Sequence, residues 1–166
     1  MAVTRGKQFE QVIETCLIKT HGVSIDRIHD QTNGFKGSSN ICDYIVYRYP
    51  YQYYFECKSV HGNTLSIFGT TEKHKYGNIT NKQWEGLKEK AKIAGVLAGV
   101  ICWWVDKDIT RFIPIQVLEY ARAIGNKSIR YDAFVSSIID IEGKKKRVFF
   151  DYDMDKFLRE ASRWAM

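Results

Sequence analysis

The first segment of the chain repeats its hydrophobic residues at helical spacing, from residue 4 to Gly22, where the pattern predicts that a helix ends. The next segment, VSIDRIH, alternates apolar and polar side chains, which predicts a short edge strand. Residues 30–40, DQTNGFKGSSN, have the composition of a loop. The apolar positions of the predicted helix are Phe9, Val12, Ile13, Cys16 and Leu17.

Two runs rich in aromatic and β-branched residues follow, ICDYIVYRY at residues 41–49 and QYYFECKSV at residues 52–60. The tight connection at Tyr49-Pro50-Tyr51 predicts that the two runs pair as a β-hairpin. The residues after this hairpin predict a long loop that contains a short strand near Leu65 to Phe68.

Helices and strands alternate over the rest of the chain. Thr80 and Gln83 have the spacing of a capping box, which predicts a helix from there to about Ala94. The pattern indicates one mixed α/β domain over residues 1–166, with a mixed central β-sheet flanked by helices and a C-terminal β-hairpin and helix. The later predicted elements are strands at 95–105 and 109–115, a turn at 106–108, a helix at 115–124 ended by Gly125, a hairpin at 134–152 and a helix from Asp153.

Charge and cysteine content narrow the classes of function. The 166 residues carry a formal net charge of +6, which favours an anionic partner such as nucleic acid. The charged start of the chain has no apolar signal core, and the longest apolar run, residues 93–105, is too short to cross a bilayer. We therefore expect no membrane association and a cytoplasmic location. Reduced thiols fit that location, because no CxxC pair occurs among Cys16, Cys42, Cys57 and Cys102.

Opposite charges two residues apart mark the second strand of the predicted hairpin. Glu56 and Lys58 point to the same face, because side chains alternate along a strand. If the hairpin turns near Pro50, Asp43 lies opposite Glu56, with the two Cβ atoms about 5 Å apart. Two carboxylates at that distance repel each other unless a cation lies between them, and Mg²⁺ accepts one or two carboxylates together with phosphate oxygens. Lys58 would then contact a water or a phosphate beside the metal.

A structural ion pair is an equal alternative at this point, because a salt bridge on a half-exposed strand has the same pattern. The chain also holds a second E-x-K sequence, Glu142-Gly143-Lys144, which follows Asp140 and precedes further basic residues. That second copy is predicted to be a solvated hairpin tip. The Glu56 copy differs from it in having aromatic strand neighbours and a facing acid.

Four segments in order resemble the PD-(D/E)xK nuclease superfamily and, more narrowly, Holliday-junction resolvases of the RecU type. They are RGKQFE, SSNICDY, FECKS, and ITNKQWEGL followed by GVLAGVICWW, within residues 4–118. The proline of the family name is replaced, because Ile41-Cys42 precedes Asp43, and the RecU stalk is reduced to the turn at Pro50. Residues 120–166 lie outside the resemblance and form a C-terminal extension.

The resemblance implies a restriction-endonuclease-like fold and an enzyme of DNA recombination and repair. Such an enzyme depends on Mg²⁺, for which Mn²⁺ can substitute, and it acts as a homodimer that makes paired nicks in a four-way DNA junction. Asp43 and Glu56 would bind the metal with the backbone carbonyl of Cys57, and Glu10 would position a metal-bound water. Lys58 would be the catalytic lysine, and Gln83 would match the glutamine of the following helix.

Several residues carry an alternative interpretation beside the functional one. Gln83 completes the predicted capping box, and Glu10 is also explained as an exposed helix acid. The candidate DNA contacts could equally be solvated side chains, and the whole chain could be another nuclease of the superfamily, such as a repair or restriction-like nickase, or a non-catalytic nucleic-acid-binding module. These candidate DNA contacts are Arg5, Arg27, Ser59, Lys73, Lys75, Lys145 and Lys146.

Overall fold

A six-stranded mixed β-sheet forms the centre of the protein, whose computed structural model describes residues 3–29 and 40–165. Its strand order is β1-β2-β3-β5-β6-β8, in which β3 and β5 are parallel and the other neighbours antiparallel. The strands are β1 (Ser24–Arg27), β2 (Tyr44–Arg48), β3 (Tyr51–Val60), β4 (Thr64–Ser66), β5 (Val96–Trp104), β6 (Ile109–Pro114), β7 (Ser128–Arg130), β8 (Ile139–Asp140), β9 (Gly143–Lys145) and β10 (Phe150–Tyr152). The helices are α1 (Arg5–Ile18), α2 (Asn81–Ala91), α3 (Ile115–Ala123) and α4 (Met154–Ala161).

Helices cover both faces of this sheet, so that β5 is buried along its whole length. Helices α1 and α4 pack on one face through residues such as Phe9 and Phe157. Helices α2 and α3 pack on the other face through residues such as Trp84 and Leu118. The predicted fold class, a mixed central sheet flanked by helices with a C-terminal hairpin and helix, is confirmed.

The β2–β3 hairpin has the register that the sequence predicts. Tyr44 pairs with Phe55 and Arg48 with Tyr51, around a Tyr49-Pro50 turn with a cis peptide bond. Because β2 begins at Tyr44, the last residues of β3 extend beyond it and keep only β5 as a neighbour. The functional candidates of β3 lie in this extension.

Most of the predicted elements are confirmed, with differences where a strand pairs with a distant segment. The capping box begins α2 as predicted, but the helix ends at Ala91 rather than near Ala94. The short strand predicted near Leu65 to Phe68 is β4, which pairs with β7. The local sequence pattern of β7 does not indicate a strand. The strand forms by pairing with β4, which lies about sixty residues earlier in the chain.

The C-terminal hairpin is shorter than predicted and begins later. Ile139–Asp140 forms β8 and joins β6 in the main sheet, because the neighbouring isoleucines bury their side chains against the core. The hairpin itself consists of β9 and β10 with a turn at 146–149. The second E-x-K sequence therefore lies at the start of β9 rather than at the hairpin tip, although it is exposed as expected.

The loop predicted at residues 30–40 lies outside the described residues except for Asn40. Among the helices of the described part, none combines the length and the apolar composition that a membrane span requires. The four cysteines are free and buried.

Gly99 of β5 and Gly6 of α1 differ in the space that an added methyl group would find. A Cβ atom on Gly99 would overlap the carbonyl oxygen of Ile113 and come within 2.6 Å of the Phe112 ring. We expect Gly99→Ala to destabilise the protein by about 1–3 kcal/mol, as overpacked cores do. Gly6→Ala in the first turn of α1 should instead stabilise it by up to about 1 kcal/mol, because its nearest new contact is Ser59 Oγ at 3.8 Å.

Urea unfolding of the two variants measures both effects. Equal stabilities for Gly99→Ala and the wild type would contradict the close approach of β6 to β5 at this position.

Candidate active site

Glu56 and Lys58 lie on the same face of β3 and form an ion pair. The Lys58 Nζ atom is 2.9 Å from Glu56 Oε1, and the Glu56 side chain is only 5% exposed. Few charged residues are buried this deeply unless they are paired or bind a metal. This pair is therefore unlike the surface salt bridges elsewhere in the chain.

Gln83 joins this pair from the first turn of α2. Its Nε2 atom donates a hydrogen bond to Glu56 Oε1 at 2.8 Å, and Lys58 Nζ donates to Gln83 Oε1 at 3.3 Å. The same Gln83 Oε1 accepts from the backbone N–H of Thr80, which completes the capping box. The two interpretations of Gln83 hold together, because capping fixes the side chain that contacts Glu56 and Lys58.

Asp43 lies directly before β2 and caps the open part of β3. Its backbone N–H donates to Phe55 O at 3.0 Å, and its Oδ2 atom accepts from the backbone N–H of Cys57 at 2.7 Å. Since β2 begins one residue later, the Asp43 side chain takes the place of a strand neighbour for Cys57. The capping also fixes the peptide unit between Glu56 and Cys57.

Glu10 approaches this group from α1, where Arg27 of β1 pairs with it. The Arg27 Nη1 atom lies 2.9 Å from Glu14 Oε2, and its Nη2 atom lies 3.5 Å from Glu10 Oε2. The Tyr44 hydroxyl donates to the backbone carbonyl of Glu10 at 2.9 Å, which ties this turn of α1 to β2. The structure thus brings Glu10, predicted only through the resemblance, to the electrostatic neighbourhood of Asp43.

Burial and neighbouring carboxylates raise the pKa values of Glu56 and Glu10. Burial and the Asp43 charge together raise the pKa of Glu56 to about 8, although Lys58 opposes the rise. Burial and the Asp43 charge likewise raise the pKa of Glu10, against the effect of Arg27. The chain therefore gathers negative charge at a site where its own cations compensate that charge only in part.

The donor atoms of this site fit a hard divalent cation. Glu56 Oε2 is buried and has no hydrogen-bond partner among the described residues. Burial raises the pKa of the Cys57 thiol well above its usual range, so the residue can offer its backbone carbonyl but no thiolate. In the described part of the chain, no three His, Cys, Asp or Glu side chains form a metal-binding group. Mg²⁺ does not require one, because it binds through one or two carboxylates and keeps several waters.

The candidate DNA contacts are spread around this site. Ser59 follows Lys58 and lies beside Gly6 at the start of α1, where Arg5 is exposed. Lys73 and Lys75 belong to the loop before α2, and Lys75 pairs with Glu72 at 3.1 Å. Lys145 pairs with Asp108, and Lys146 is exposed. No hydrogen bond or ion pair found within the described residues joins any of these side chains to Glu56, and each remains a prediction of a DNA contact.

Arg122 of α3 organises the loop before α2, and the sequence gives no sign of this. Its guanidinium donates to the carbonyl oxygens of Ile67 and Lys75 at 2.7 and 2.8 Å. It also lies over the ring of Tyr76, which stacks on Trp84 of α2 with centroids 4.4 Å apart. The basic loop is thereby held against α2, the helix that carries Gln83. Only the fold brings these residues together, because Arg122 is separated from them by about forty residues or more.

Two alanine variants separate the capping role of Gln83 from its contact with the ion pair. Thr80→Ala should cost about 1 kcal/mol of stability and leave the Glu56 contact intact. Gln83→Ala should have a similar effect on stability and also reduce any metal-dependent activity by about 10–100-fold, as the loss of partners of metal ligands does. Comparing activity at equal folded fraction measures the difference. Equal activities in the two variants would show that Gln83 acts only as part of the helix cap and has no role in the activity.

No family model and no curated protein matches the sequence. Among solved structures, the protein is similar to Hjc, a Holliday junction resolvase from the archaeal hyperthermophile Archaeoglobus fulgidus. The two share 21% sequence identity with a TM-score of 0.46, over 67% of this chain and 78% of the Hjc chain.

Proposed function

We propose that the protein is a magnesium-dependent endonuclease that resolves four-way DNA junctions by paired nicks. One observation carries the proposal: buried Glu56, whose Oε2 atom has no hydrogen-bond partner within residues 3–29 and 40–165, lies beside a lysine and close to a second carboxylate. A purely structural ion pair has no need of the added acid, which weakens the pair by repulsion. The sequence motifs of residues 4–118 and the net charge of +6 add support for a DNA substrate.

Three groups would hold the metal: the Asp43 carboxylate, Glu56 Oε2 and the backbone carbonyl of Cys57. When bound, Mg²⁺ lowers the pKa of a coordinated water and neutralises charge on the scissile phosphate. The hydrogen bond from Cys57 N–H to Asp43 fixes the spacing between two of these groups. The site is thus organised before a substrate arrives.

Lys58 and Glu10 would act on the reacting groups themselves. The Lys58 ammonium, held by Glu56 and Gln83, donates hydrogen bonds to the attacking water or to an oxygen that gains negative charge. Glu10 accepts a hydrogen bond from a water at the site and so orients it. Gln83 is a positioning residue, because it contacts Glu56 and Lys58 rather than the substrate.

Cleavage assays with and without Mg²⁺ test this proposal. We expect a labelled four-way junction to be nicked in Mg²⁺ or Mn²⁺ and to remain intact in EDTA, while a linear duplex of the same sequences is cut much more slowly. Equal cleavage of both substrates would favour a repair or restriction-like nickase. DNA binding without cleavage in either metal would favour the non-catalytic module.

The proposal includes a homodimer with two active sites. A four-way junction has approximate two-fold symmetry, and a two-fold dimer places identical sites at related positions. A mixed dimer of wild-type and Glu56→Gln chains should nick one strand of each junction and leave its counterpart intact. Denaturing gels of a junction labelled on each strand in turn measure this. A monomer in light scattering, both free and on junction DNA, would contradict the dimer and leave the nuclease chemistry in place.

A further inference from the structure

The turn of the C-terminal hairpin, residues 146–149, lies at the same sheet edge as the end of the β3 strand. In the β3–β5 register, Ser59 pairs with Trp103. The ring of Trp103 in turn packs against Phe149 of the hairpin turn, with centroids 5.3 Å apart. On the other side, Ser59 lies beside Gly6 in the first turn of α1. The hairpin turn and the start of α1 therefore flank the strand end that carries Lys58.

This hairpin carries four consecutive basic residues, from Lys144 to Arg147, all of them exposed. Lys145 is compensated by its ion pair with Asp108. No ion pair found within residues 3–29 and 40–165 involves Lys146 or Arg147. Like charges on adjacent residues repel, so these two cations destabilise the hairpin unless an anion compensates them. Their placement suggests a partner with negative charge.

A groove of about 450 Å³ separates this hairpin from α1. Asp151 is the one acidic residue among the described residues that line the groove, and its Oδ1 atom lies 3.6 Å from Lys19 Nζ. Because Lys19 compensates this charge, the groove walls do not repel an anion. Neutral hydrogen-bond donors line the opposite wall, on α1. The residues of the groove that matter here are Gln8, Gln11, Lys19, Lys146 and Asp151.

We infer that the hairpin turn and the facing side of α1 form a second phosphate-binding surface, which contacts the backbone of duplex DNA beside the scissile phosphate. The inference rests on the proposed function, because the active site sets where the DNA lies. Lys146 and Arg147 supply the charge, and the glutamines of α1 supply hydrogen bonds to phosphate oxygens. The surface gives the C-terminal extension, which the active site does not use, a part in holding the substrate.

Salt titration of DNA binding tests this surface directly. The double variant Lys146→Gln/Arg147→Gln is compared with the control Lys92→Gln/Arg163→Gln, which also removes one lysine and one arginine. The control residues lie near the other end of β5, where Gly95 N–H donates a hydrogen bond to Ala165 O. Binding to a junction and to a linear duplex is measured in EDTA, so that cleavage plays no part. The logarithm of the binding constant falls as the logarithm of the salt concentration rises. We expect this negative slope to be shallower by about 1.8 in the hairpin variant, or by about 0.9 for each phosphate that the protein no longer neutralises. The control variant should retain the wild-type slope.

Each result decides a different point. If the wild type binds DNA and the hairpin variant has the same salt slope as the wild type, the second surface is overturned and the proposed function is left intact. Equal reductions of the slope in both double variants would also overturn it, because they would reflect net charge alone. A wild-type chain that binds no DNA would overturn the proposed function together with this surface. Melting temperatures of all the variants equal to that of the wild type exclude misfolding as the cause.

Discussion

Asp43→Asn and Glu56→Gln are each expected to reduce Mg²⁺-dependent cleavage of junction DNA by about three orders of magnitude or more. Several kcal/mol of transition-state stabilisation depend on a bound metal, and each 1.36 kcal/mol corresponds to a tenfold change in rate. Both amides keep the shape of the side chain and remove the charge that holds a cation. Single-turnover assays with saturating protein measure the effect.

These variants should fold normally and still bind DNA. Asp43 and Glu56 repel each other, so that Asp43→Asn relieves a destabilising interaction in metal-free buffer, whereas Glu56→Gln also gives up the ion pair with Lys58. An amide oxygen at position 43 can still accept the hydrogen bond from Cys57 N–H. We therefore expect a melting temperature at or above that of the wild type for Asp43→Asn, and unchanged junction affinity in EDTA for both variants.

Glu142→Gln is the matched control, because it alters the second E-x-K sequence of the same chain. Glu142 is exposed and pairs only with Lys156 at 2.7 Å among the described residues. Its removal should leave cleavage unchanged. Cleavage by Glu56→Gln at a rate close to that of the wild type, or an equal loss in Glu142→Gln, would show that the metal assignment is wrong.

The hairpin and its ion pair were predictable from the sequence because they depend on local rules. The position of Pro50 between two strand-like runs sets the register, and the register places Asp43 near Glu56. The alternation of side chains places Lys58 beside Glu56, and the capping-box spacing predicts the start of α2. None of these inferences requires knowledge of a distant segment.

The remaining features depend on contacts between segments that are far apart in the chain. The bridge from Arg27 to Glu10 and Glu14 requires that β1 pack against α1. The sequence alone offered Arg27 as a phosphate contact, and the structure shows it engaged with two carboxylates. The pairing of β4 with β7 and the entry of β8 into the main sheet are of the same kind. Short segments of two to four residues carry too little periodicity to reveal such partners.

The second large effect concerns Lys58, for which we expect a loss of catalysis without a loss of metal binding. Lys58→Met keeps the length and the apolar stem of the side chain but removes the ammonium that contacts Glu56 and Gln83. Loss of one pre-organised donor typically costs about 10²–10³ in turnover rate. Removing the cation also leaves more negative charge at the site, so affinity for a divalent metal should not fall.

Metal-dependent stabilisation separates the lysine from the acids. A ligand that binds only the folded state stabilises it by about 2.7 kcal/mol at one hundred times its dissociation constant. Mg²⁺ should therefore raise the melting temperature of the wild type and of Lys58→Met, and should have little effect on Glu56→Gln. Lys90→Met is the control. Lys90 belongs to α2, its Nζ atom lies 5.3 Å from the centroid of the Tyr54 ring, and no hydrogen bond or ion pair of the described residues joins it to Glu56. Cleavage by Lys58→Met within tenfold of the Lys90→Met rate would remove Lys58 from the catalytic site, whereas loss of the Mg²⁺ effect in Lys58→Met would make it a support of the metal site instead.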